Sequence, residues 1–251
     1  MANRRINDHP LDNVVWHALR GPQSAFAESD PSSRAVRFTP EVSIFGAVEH
    51  VDPESWRAQA ELVGPRGFAV LFRGDVGDAP PGWVEVVRAP GLQMVAGDLA
   101  PRPADFAPQR LGRDDVDEML ALTKLTEPGP FAARTIELGA YVGVRDADRL
   151  VAMAGERLRV PGFTEVSAVC THPDARKRGL AAALTLHVAH AIRDRGDEAF
   201  LHVVDTNDNA IRLYEKLGFE IRRSVDGVAF RWLGDDASQA GREPGVPPSA
   251  A

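Results

Sequence analysis

Apolar residues recur every three or four positions in the segment that follows Gly179. This spacing predicts a helix with one buried face, because 3.6 residues complete each helical turn. The repeating positions are Leu180, Leu184, Val188, Ala191 and Ile192. Gly196 suits the left-handed position just beyond a helix end, so the helix is predicted to stop near Arg195.

Apolar and β-branched runs flank this helix on both sides. Residues 150–160 and 164–171 precede it as predicted strands, joined by a turn at Pro161-Gly162, and residues 199–204 follow it as a buried strand. The other predicted elements are a helix over 116–125, a strand over 141–144, a helix over about 207–217 and a closing hairpin of strands 219–222 and 228–232. This order predicts an α/β fold with a mixed sheet.

The first part of the chain has a different composition and is rich in proline and glycine. It is predicted to hold short strands over 35–38, 67–72 and 83–87 and short helices over 12–19 and 54–62. Pro101-Arg102-Pro103 forms a stiff junction that suits a domain boundary. The predicted organisation is an α/β lobe over 1–104, a second domain over 105–233 and a disordered tail over 234–251.

Composition narrows the classes of function. A net charge of −7 over 251 residues argues against a general nucleic-acid binder, which needs a basic surface. The single cysteine, Cys170, excludes an intramolecular disulfide framework. No apolar run is long enough for a membrane span, and the N-terminus lacks the apolar region of a signal peptide, so we expect a cytoplasmic protein. Three lysines among 29 basic residues suggest a bacterial genome rich in G and C.

The segment CTHPDARKRGLAAAL, residues 170–184, is the strongest candidate for chemistry. A predicted strand passes through a basic loop into the helix that opens at Gly179. The first backbone N–H groups of a helix have no partner within it, and its positive end favours an anion. Arg176, Lys177 and Arg178 add cationic side chains at the same place, so the segment predicts a diphosphate site. It matches neither GxxxxGK[ST] nor GxGxxG.

This segment and a later one match two family patterns. Arg176, Gly179 and Ala181 fit R/Q-x-x-G-x-G/A. The residues that fit N-x-x-A-x-x-L-Y-x-K-x-G-F are Asn207, Ala210, Leu213, Tyr214, Lys216, Gly218 and Phe219. In this order and spacing the patterns resemble the GNAT superfamily of N-acetyltransferases, over roughly residues 105–233. The resemblance implies a mixed, mostly antiparallel twisted sheet flanked by helices, here preceded by a smaller α/β lobe.

The resemblance also implies where acetyl-CoA, the co-substrate of the family, would bind. The strands that end near Thr171 and begin near Ala199 are expected to separate, with the pantetheine arm between them. The implied cofactor-binding residues are Val169, Cys170, Thr171, Arg176, Lys177, Arg178, Gly179, Leu180, Ala181, Ala182, Asn207 and Tyr214. No metal is expected, since no carboxylate–histidine pattern accompanies His187 and His190.

Three residues are candidates for acid–base chemistry. The resemblance implies that Tyr214 protonates the leaving thiolate; alternatively its ring only packs in the core. Glu165 occupies the offset of the family's strand base, and a half-buried carboxylate would have its pKa raised. Strand alternation would place Glu165 on one face with Ser167, Val169 and Thr171, opposite Val166, Ala168 and Cys170. Glu165 could equally be a surface residue.

Glu156 is the second candidate base, either facing the acceptor or paired with Arg157 or Arg159. Cys170 reads more simply as a core thiol than as a nucleophile. The loop over 126–131 could contact the acceptor, with Glu127 meeting an ammonium group and Phe131 as a candidate exposed aromatic residue, or it could equally be a rigid linker.

The resemblance implies direct transfer of an acetyl group from acetyl-CoA to a primary amine. The acceptor is expected to be a small or amino-acid-like molecule; a protein lysine or N-terminus, or a non-catalytic acyl-CoA-binding regulatory module, are the alternatives. The two-lobe layout also looks like that of glycine N-acyltransferase-like proteins. No nucleic-acid or membrane partner is expected, and the chain is predicted to be a monomer or a homodimer.

Overall fold

The structure, a computed structural model, describes residues 9–234 and divides into two compact units. One consists of residues 9–40, 44–91 and 224–234, and the other of residues 41–43 and 92–223. The main segment of the second unit begins at residue 92, inside strand β5 (Trp83–Ala96), and the predicted boundary at residue 104 lies within this unit. The predicted tail lies outside the described residues, apart from Gly234.

The first unit combines short helices and strands around an aromatic core. Its elements are α1 (Val14–Leu19), β1 (Ala27–Ser29), β2 (Ala35–Phe38), β3 (Gly46–Val48), α2 (Pro53–Val63) and β4 (Phe68–Arg73). Helix α2 begins where the Asp52 side chain accepts a hydrogen bond of 2.7 Å from the Ser55 backbone N–H. Trp56 packs against the rings of Trp83 and Phe230, with centroids 5.2 and 5.1 Å away.

The second unit contains the predicted mixed sheet. Its own elements are β6 (Gln109–Leu111), α3 (Val116–Thr126), β7 (Tyr141–Asp146), β8 (Arg149–Val160), β9 (Phe163–Thr171), α4 (Leu180–Asp194), β10 (Glu198–Val204) and α5 (Asp208–Lys216). Strand β5 and the last strand, β11 (Phe219–Trp232), contribute residues to both units. The strand order is β11-β5-β10-β9-β8-β7-β6.

Strand directions confirm the predicted fold class. Strands β9 and β10 pair in parallel, whereas β6 with β7, β7 with β8 and β8 with β9 pair antiparallel. Helix α4 packs on β8, β9 and β10, and α3 packs on β8 and β9. Of the predicted apolar positions of α4, Leu184, Val188 and Ile192 are buried, whereas Leu180 and Ala191 are half-buried. The result is an α/β fold with a mostly antiparallel sheet flanked by helices.

The predicted closing hairpin is wrong, because residues 219–232 form one continuous strand. The polar residues read as a turn lie inside β11, where Asp226 is the register partner of Arg73 on β4. Asp226 also accepts a hydrogen bond of 2.7 Å from Arg88. Partners on neighbouring strands thus satisfy a polar segment that local sequence alone favours as a turn. Among the described helices, none is long and apolar enough to cross a membrane.

Candidate active site

Strands β9 and β10 separate after a short paired section. Their parallel register covers Phe163 with Glu198, Thr164 with Ala199, and Glu165 with Phe200. Both strands continue beyond this point, to Thr171 and Val204, without a further pair between them in the described residues. A gap between two parallel strands therefore opens at Glu165, as the family resemblance implies.

A β-bulge lies on the strand that borders this gap. Met153 on β8 is opposite Cys170, but Gly155 is opposite Ser167, so β9 carries one extra residue in this section. Ala168, inside the bulge, has a φ of +52°, which is uncommon for a residue with a side chain. The bulge turns the backbone of β9 at the open end of the gap.

The bulge overturns the predicted alternation of side chains along β9. Val166 and Val169 pack in the core cluster that contains the buried face of α4. Ala168 and Cys170 pack in a different cluster, with Met119 of α3. Val166 and Cys170 would share a face if the strand alternated strictly, so the expected arrangement of faces is wrong beyond the bulge.

The loop after β9 leads into α4 through two left-handed residues. Lys177 has a φ of +64° and Gly179 a φ of +74°. Helix α4 begins at Leu180, with Gly179 as its N-cap and no side-chain cap. The Gly179 carbonyl accepts the first hydrogen bond, 3.0 Å from the Ala183 N–H. The preceding N–H groups have no acceptor inside the helix, so they face the loop as the diphosphate prediction requires.

The basic side chains of this loop are exposed. Arg176, Lys177 and Arg178 all lie at the surface. Arg178 contacts Asp146 at 3.2 Å, an exposed ion pair that a stronger anion can displace. The loop therefore offers cationic groups beside the free N–H groups of α4.

Glu165, the leading candidate base, is fully buried in an ion pair. Both its oxygens accept hydrogen bonds from Arg157, at 2.9 and 2.7 Å, and the Leu158 N–H adds a third at 3.2 Å. Although burial opposes the charged form, Arg157 and His202 hold the pKa of this carboxyl down at about 2. The expectation of a half-buried glutamate with a raised pKa is wrong.

Glu165 belongs to a buried chain of polar side chains that sequence reasoning missed. Its Oε1 lies 2.7 Å from Nδ1 of His202, whose Nε2 lies 3.0 Å from Nε2 of Gln93. Oε1 of Gln93 accepts a hydrogen bond of 2.7 Å from Arg222. Burial lowers the pKa of His202, which favours the neutral imidazole at pH 7. A single polar residue inside an otherwise apolar strand, as in AFLHVV and GLQMVA, is the signal that could have identified His202 and Gln93.

Glu156, the second candidate base, forms an ion pair that was not among those predicted. Its Oε1 accepts a hydrogen bond of 2.8 Å from Arg195, just beyond the end of α4. Arg159 contacts Asp197 at 3.4 Å. The difference arises because Arg195 is adjacent to Glu156 in space but 39 positions away in sequence.

Tyr214 and Asn207 occupy the second family pattern on α5. The Tyr214 ring is buried and meets Phe219 edge to face, 6.1 Å between centroids. Burial raises the pKa of its hydroxyl to about 12, so it keeps its proton at neutral pH. Asn207 is the N-cap of α5, and its side chain accepts a hydrogen bond of 3.1 Å from the Ala210 N–H.

Cys170 and Phe131 lie in the core, whereas Glu127 is exposed. Burial raises the pKa of the Cys170 thiol to about 11, so it does not supply the thiolate that a nucleophile requires. Phe131, expected to be exposed, is buried against Tyr141 with ring centroids 5.6 Å apart. Among the described residues, no group of three or more His, Cys, Asp or Glu side chains could hold a metal ion.

Comparisons with known proteins agree with this geometry. Residues 141–226 match the family model described as FR47-like protein. The crystal structure of an acetyltransferase from the GNAT family of Novosphingobium aromaticivorans superposes with a TM-score of 0.80 at 41% identity, covering 89% of this chain and 98% of that one. Its match extends over nearly the whole described chain.

Curated relatives match shorter stretches. N-alpha-acetyltransferase RimI of Mycobacterium tuberculosis is 34% identical over 128 residues, 48% of this chain and 79% of the relative. Mycothiol acetyltransferase of Rhodococcus jostii is 46% identical over 61 residues, 24% of this chain. The aligned stretch spans only 20% of that mycothiol acetyltransferase, so the likeness concerns one segment of a longer protein.

Proposed function

Because the chain belongs to the GNAT family of acetyltransferases, we propose that it transfers an acetyl group from acetyl-CoA directly to a primary amine of a small or amino-acid-like acceptor. The observation that carries the proposal is the gap between β9 and β10, which is continuous along the chain with the loop and the free start of α4. One ligand with an extended arm and a diphosphate matches both features.

The described residues fit acetyl-CoA as this ligand. The N–H groups of Lys177 and of residues 179–182 would hold the diphosphate, since positive φ at Lys177 and Gly179 turns the backbone toward one point. Arg176 and Arg178 would add charge at the rim. The bulged backbone at Val169, Cys170 and Thr171 would border the pantetheine arm, with Asn207 and Tyr214 on the following helix.

Acetyl-CoA supplies an activated thioester, whose carbon–sulfur bond breaks as the carbon–nitrogen bond to the amine forms. Tyr214 is the proposed acid. Its raised pKa keeps the hydroxyl protonated, so it can donate a hydrogen bond or a proton to the leaving sulfur. The phenyl part of the ring is already held by Phe219, which orients the hydroxyl.

Glu156 is the proposed base for the acceptor ammonium, in preference to Glu165. A carboxyl with a pKa of about 2, clamped by two bonds from Arg157, has little tendency to accept a proton. Glu156 forms an ion pair with Arg195, whose side chain is 41% exposed. Arg195 can therefore move into water and release the carboxylate.

Glu156→Gln tests this assignment. We expect kcat to fall by about a hundredfold or more, the usual contribution of a general base, with little change in acetyl-CoA affinity. Arg195→Gln serves as the control, because it removes the ion pair but keeps the carboxylate. A wild-type rate in Glu156→Gln would show that another group accepts the proton.

Calorimetric titration with acetyl-CoA, combined with a thiol-release assay, tests the proposed function itself. Binding with turnover on small primary amines supports it. Binding without turnover on any amine supports a regulatory module instead, and absence of binding rejects the proposal.

Protein N-termini form the second acceptor class, favoured by the 34% identity with a protein named as an N-alpha-acetyltransferase. A panel of small amines beside peptides with free N-termini separates the two classes. Turnover confined to peptides would replace the small-molecule acceptor. The likeness to glycine N-acyltransferase-like proteins, the bacterial origin, the cytoplasmic location and the monomeric or homodimeric state remain predictions.

A further inference from the structure

We propose that His202 is a positioning residue for acetyl-CoA, because its hydrogen bond to Glu165 ties β10 to β9 at the point where the two strands separate. The inference rests on the proposed function, since the gap between these strands is the proposed site of the pantetheine arm. Under this inference Glu165 has a structural role in the site and does not act as the base.

The hydrogen bond between His202 and Glu165 belongs to a row of interacting side chains that crosses five adjacent strands. Arg157 lies on β8, Glu165 on β9, His202 on β10, Gln93 on β5 and Arg222 on β11, and the sheet has these strands side by side. All five residues belong to the second unit. The row therefore runs perpendicular to the strands and links each strand to its neighbour through side chains.

Its hydrogen-bond directions follow from the two arginines. Arginine only donates, so Arg222 requires the oxygen of Gln93 as acceptor and leaves the Gln93 amide N–H₂ facing His202. Nε2 of His202 must then accept, which places the imidazole proton on Nδ1. That proton is donated to Glu165, the acceptor that Arg157 also binds. Every link therefore has one donor and one acceptor, without conflict.

The hydrogen bond between His202 and Glu165 lies where it can set the spacing of β9 and β10 at the gap. Backbone pairing of β9 with β10 ends at Glu165 and Phe200, and His202 is the next residue on the same side of β10. Its bond of 2.7 Å to Glu165 is thus a connection between the two strands beyond the last backbone pair. Because both side chains are buried, this bond holds β10 at a set distance from β9.

The same geometry argues against His202 as the proton acceptor of the reaction. Its Nε2 faces Gln93 on β5, the strand on the far side of β10 from the gap. A proton on Nε2 would also make that atom a donor, which would then face a second donor, the amide N–H₂ of Gln93. The imidazole therefore serves as a neutral link between three strands.

Two substitutions of His202 separate its two hydrogen bonds. His202→Asn keeps an N–H near the position of Nδ1 and so retains the donor to Glu165. His202→Gln places its amide nearer the position of Nε2, so it can satisfy Gln93 but loses the donor to Glu165. Both variants are titrated with acetyl-CoA and, separately, with 3′-phospho-ADP, the part of CoA that ends at the diphosphate.

We expect His202→Gln to weaken acetyl-CoA binding by about tenfold, the size expected for loss of one hydrogen bond to a charged group. Its affinity for 3′-phospho-ADP should match that of the wild type, because the free N–H groups of α4 are unchanged. His202→Asn should bind both ligands as the wild type does. The KM for acetyl-CoA should follow the same order, whereas loss of a general base would lower kcat.

Equal affinity of His202→Gln and wild type for acetyl-CoA would overturn the inference, as would an equal loss for both ligands. If His202→Gln does not fold, Glu165→Gln replaces it, with the same selective loss expected and the same outcomes against it. Failure of the wild-type protein to bind either ligand would instead reject the proposed function, and this inference with it.

Discussion

At the residue scale, the buried hydroxyl of Tyr214 isolates one step of the proposed reaction. The ring packs edge to face against Phe219, so phenylalanine can occupy the same space. Only the hydroxyl, which the raised pKa keeps protonated, is lost in such a change. Chemistry and packing can therefore be separated at this position.

Tyr214→Phe should lower kcat by about a hundredfold, as for loss of a general acid, while the Kd for acetyl-CoA stays near the wild-type value. An assay of thiol release measures kcat, and calorimetric titration measures the Kd for acetyl-CoA. An unchanged kcat would remove Tyr214 from the mechanism and leave it as a core residue.

The ion pair between Arg157 and Glu165 makes a second residue-scale prediction, on stability. Arg157→Met should destabilise the protein by about 3–5 kcal/mol, because it leaves a buried carboxylate without its partner. Urea unfolding followed by circular dichroism measures the change. Arg159→Met is the matched control on the same strand, where the arginine side chain is 52% exposed and contacts Asp197 at 3.4 Å. The control should cost about 1 kcal/mol or less, and equal losses in both variants would contradict the prediction.

At the scale of elements, the start of α4 depends on backbone conformation more than on side chains. Gly179 has a positive φ and, in open space, would meet no described atom if it carried a Cβ. Substitution there therefore adds strain and fills the space in front of the helix, without a clash inside the protein. The region in front of the helix is where the diphosphate is proposed to bind.

Gly179→Glu should abolish acetyl-CoA binding, because it places bulk and negative charge on the proposed diphosphate site. Gly196→Glu is the control: Gly196, just beyond the other end of α4, also has a positive φ and open space. Both substitutions should cost about 1–2 kcal/mol of stability through left-handed strain. Titration should show loss of binding in Gly179→Glu only, and intact binding in that variant would mean that the loop holds no diphosphate.

The bulge in β9 is a feature that the sequence of this strand alone does not predict. The segment FTEVSAVCT predicts a strand, but nothing in it marks Ala168 as left-handed. The extra residue is visible only against β8, where Gly155 and Met153 set the register. Strand identity is local information, whereas register depends on the partner strand.

At the scale of the whole molecule, overall and local charge act in opposite directions on an anionic ligand. The net charge is −7, which repels a polyanion such as CoA at long range. Arg176, Lys177 and Arg178 attract it at the loop. Screening over about 8 Å at physiological ionic strength suppresses the first effect more than direct contacts at the loop. Local attraction should therefore dominate.

The affinity for acetyl-CoA should accordingly fall several-fold as NaCl rises from about 50 mM to about 500 mM, since salt screens the contacts at the loop. Titration at several salt concentrations measures the slope of affinity against NaCl concentration. Arg176→Gln should flatten it, and Arg212→Gln, an exposed arginine on α5, is the control. Affinity that rises with salt would indicate that the overall repulsion dominates.

Local sequence is enough to predict most helices and strands and the chemical character of the loop. Helices α2, α3, α4 and α5 and strands β2, β8, β9 and β10 follow from hydrophobic periodicity and end signals within a few residues, and the two patterns at Arg176 and Asn207 identify the family. These features depend on neighbours in sequence, so a single chain is enough to predict them.

The roles of the buried polar side chains depend instead on contacts between strands that are distant in sequence. Glu165 was expected to act as a free base, but its partners lie 8 and 37 positions away on other strands, and His202 meets Gln93 across 109 positions. Those contacts form because β8, β9, β10 and β5 lie side by side in the sheet. Strand order determines which charges neutralise one another, and with them the pKa of Glu165; no local pattern carries that order.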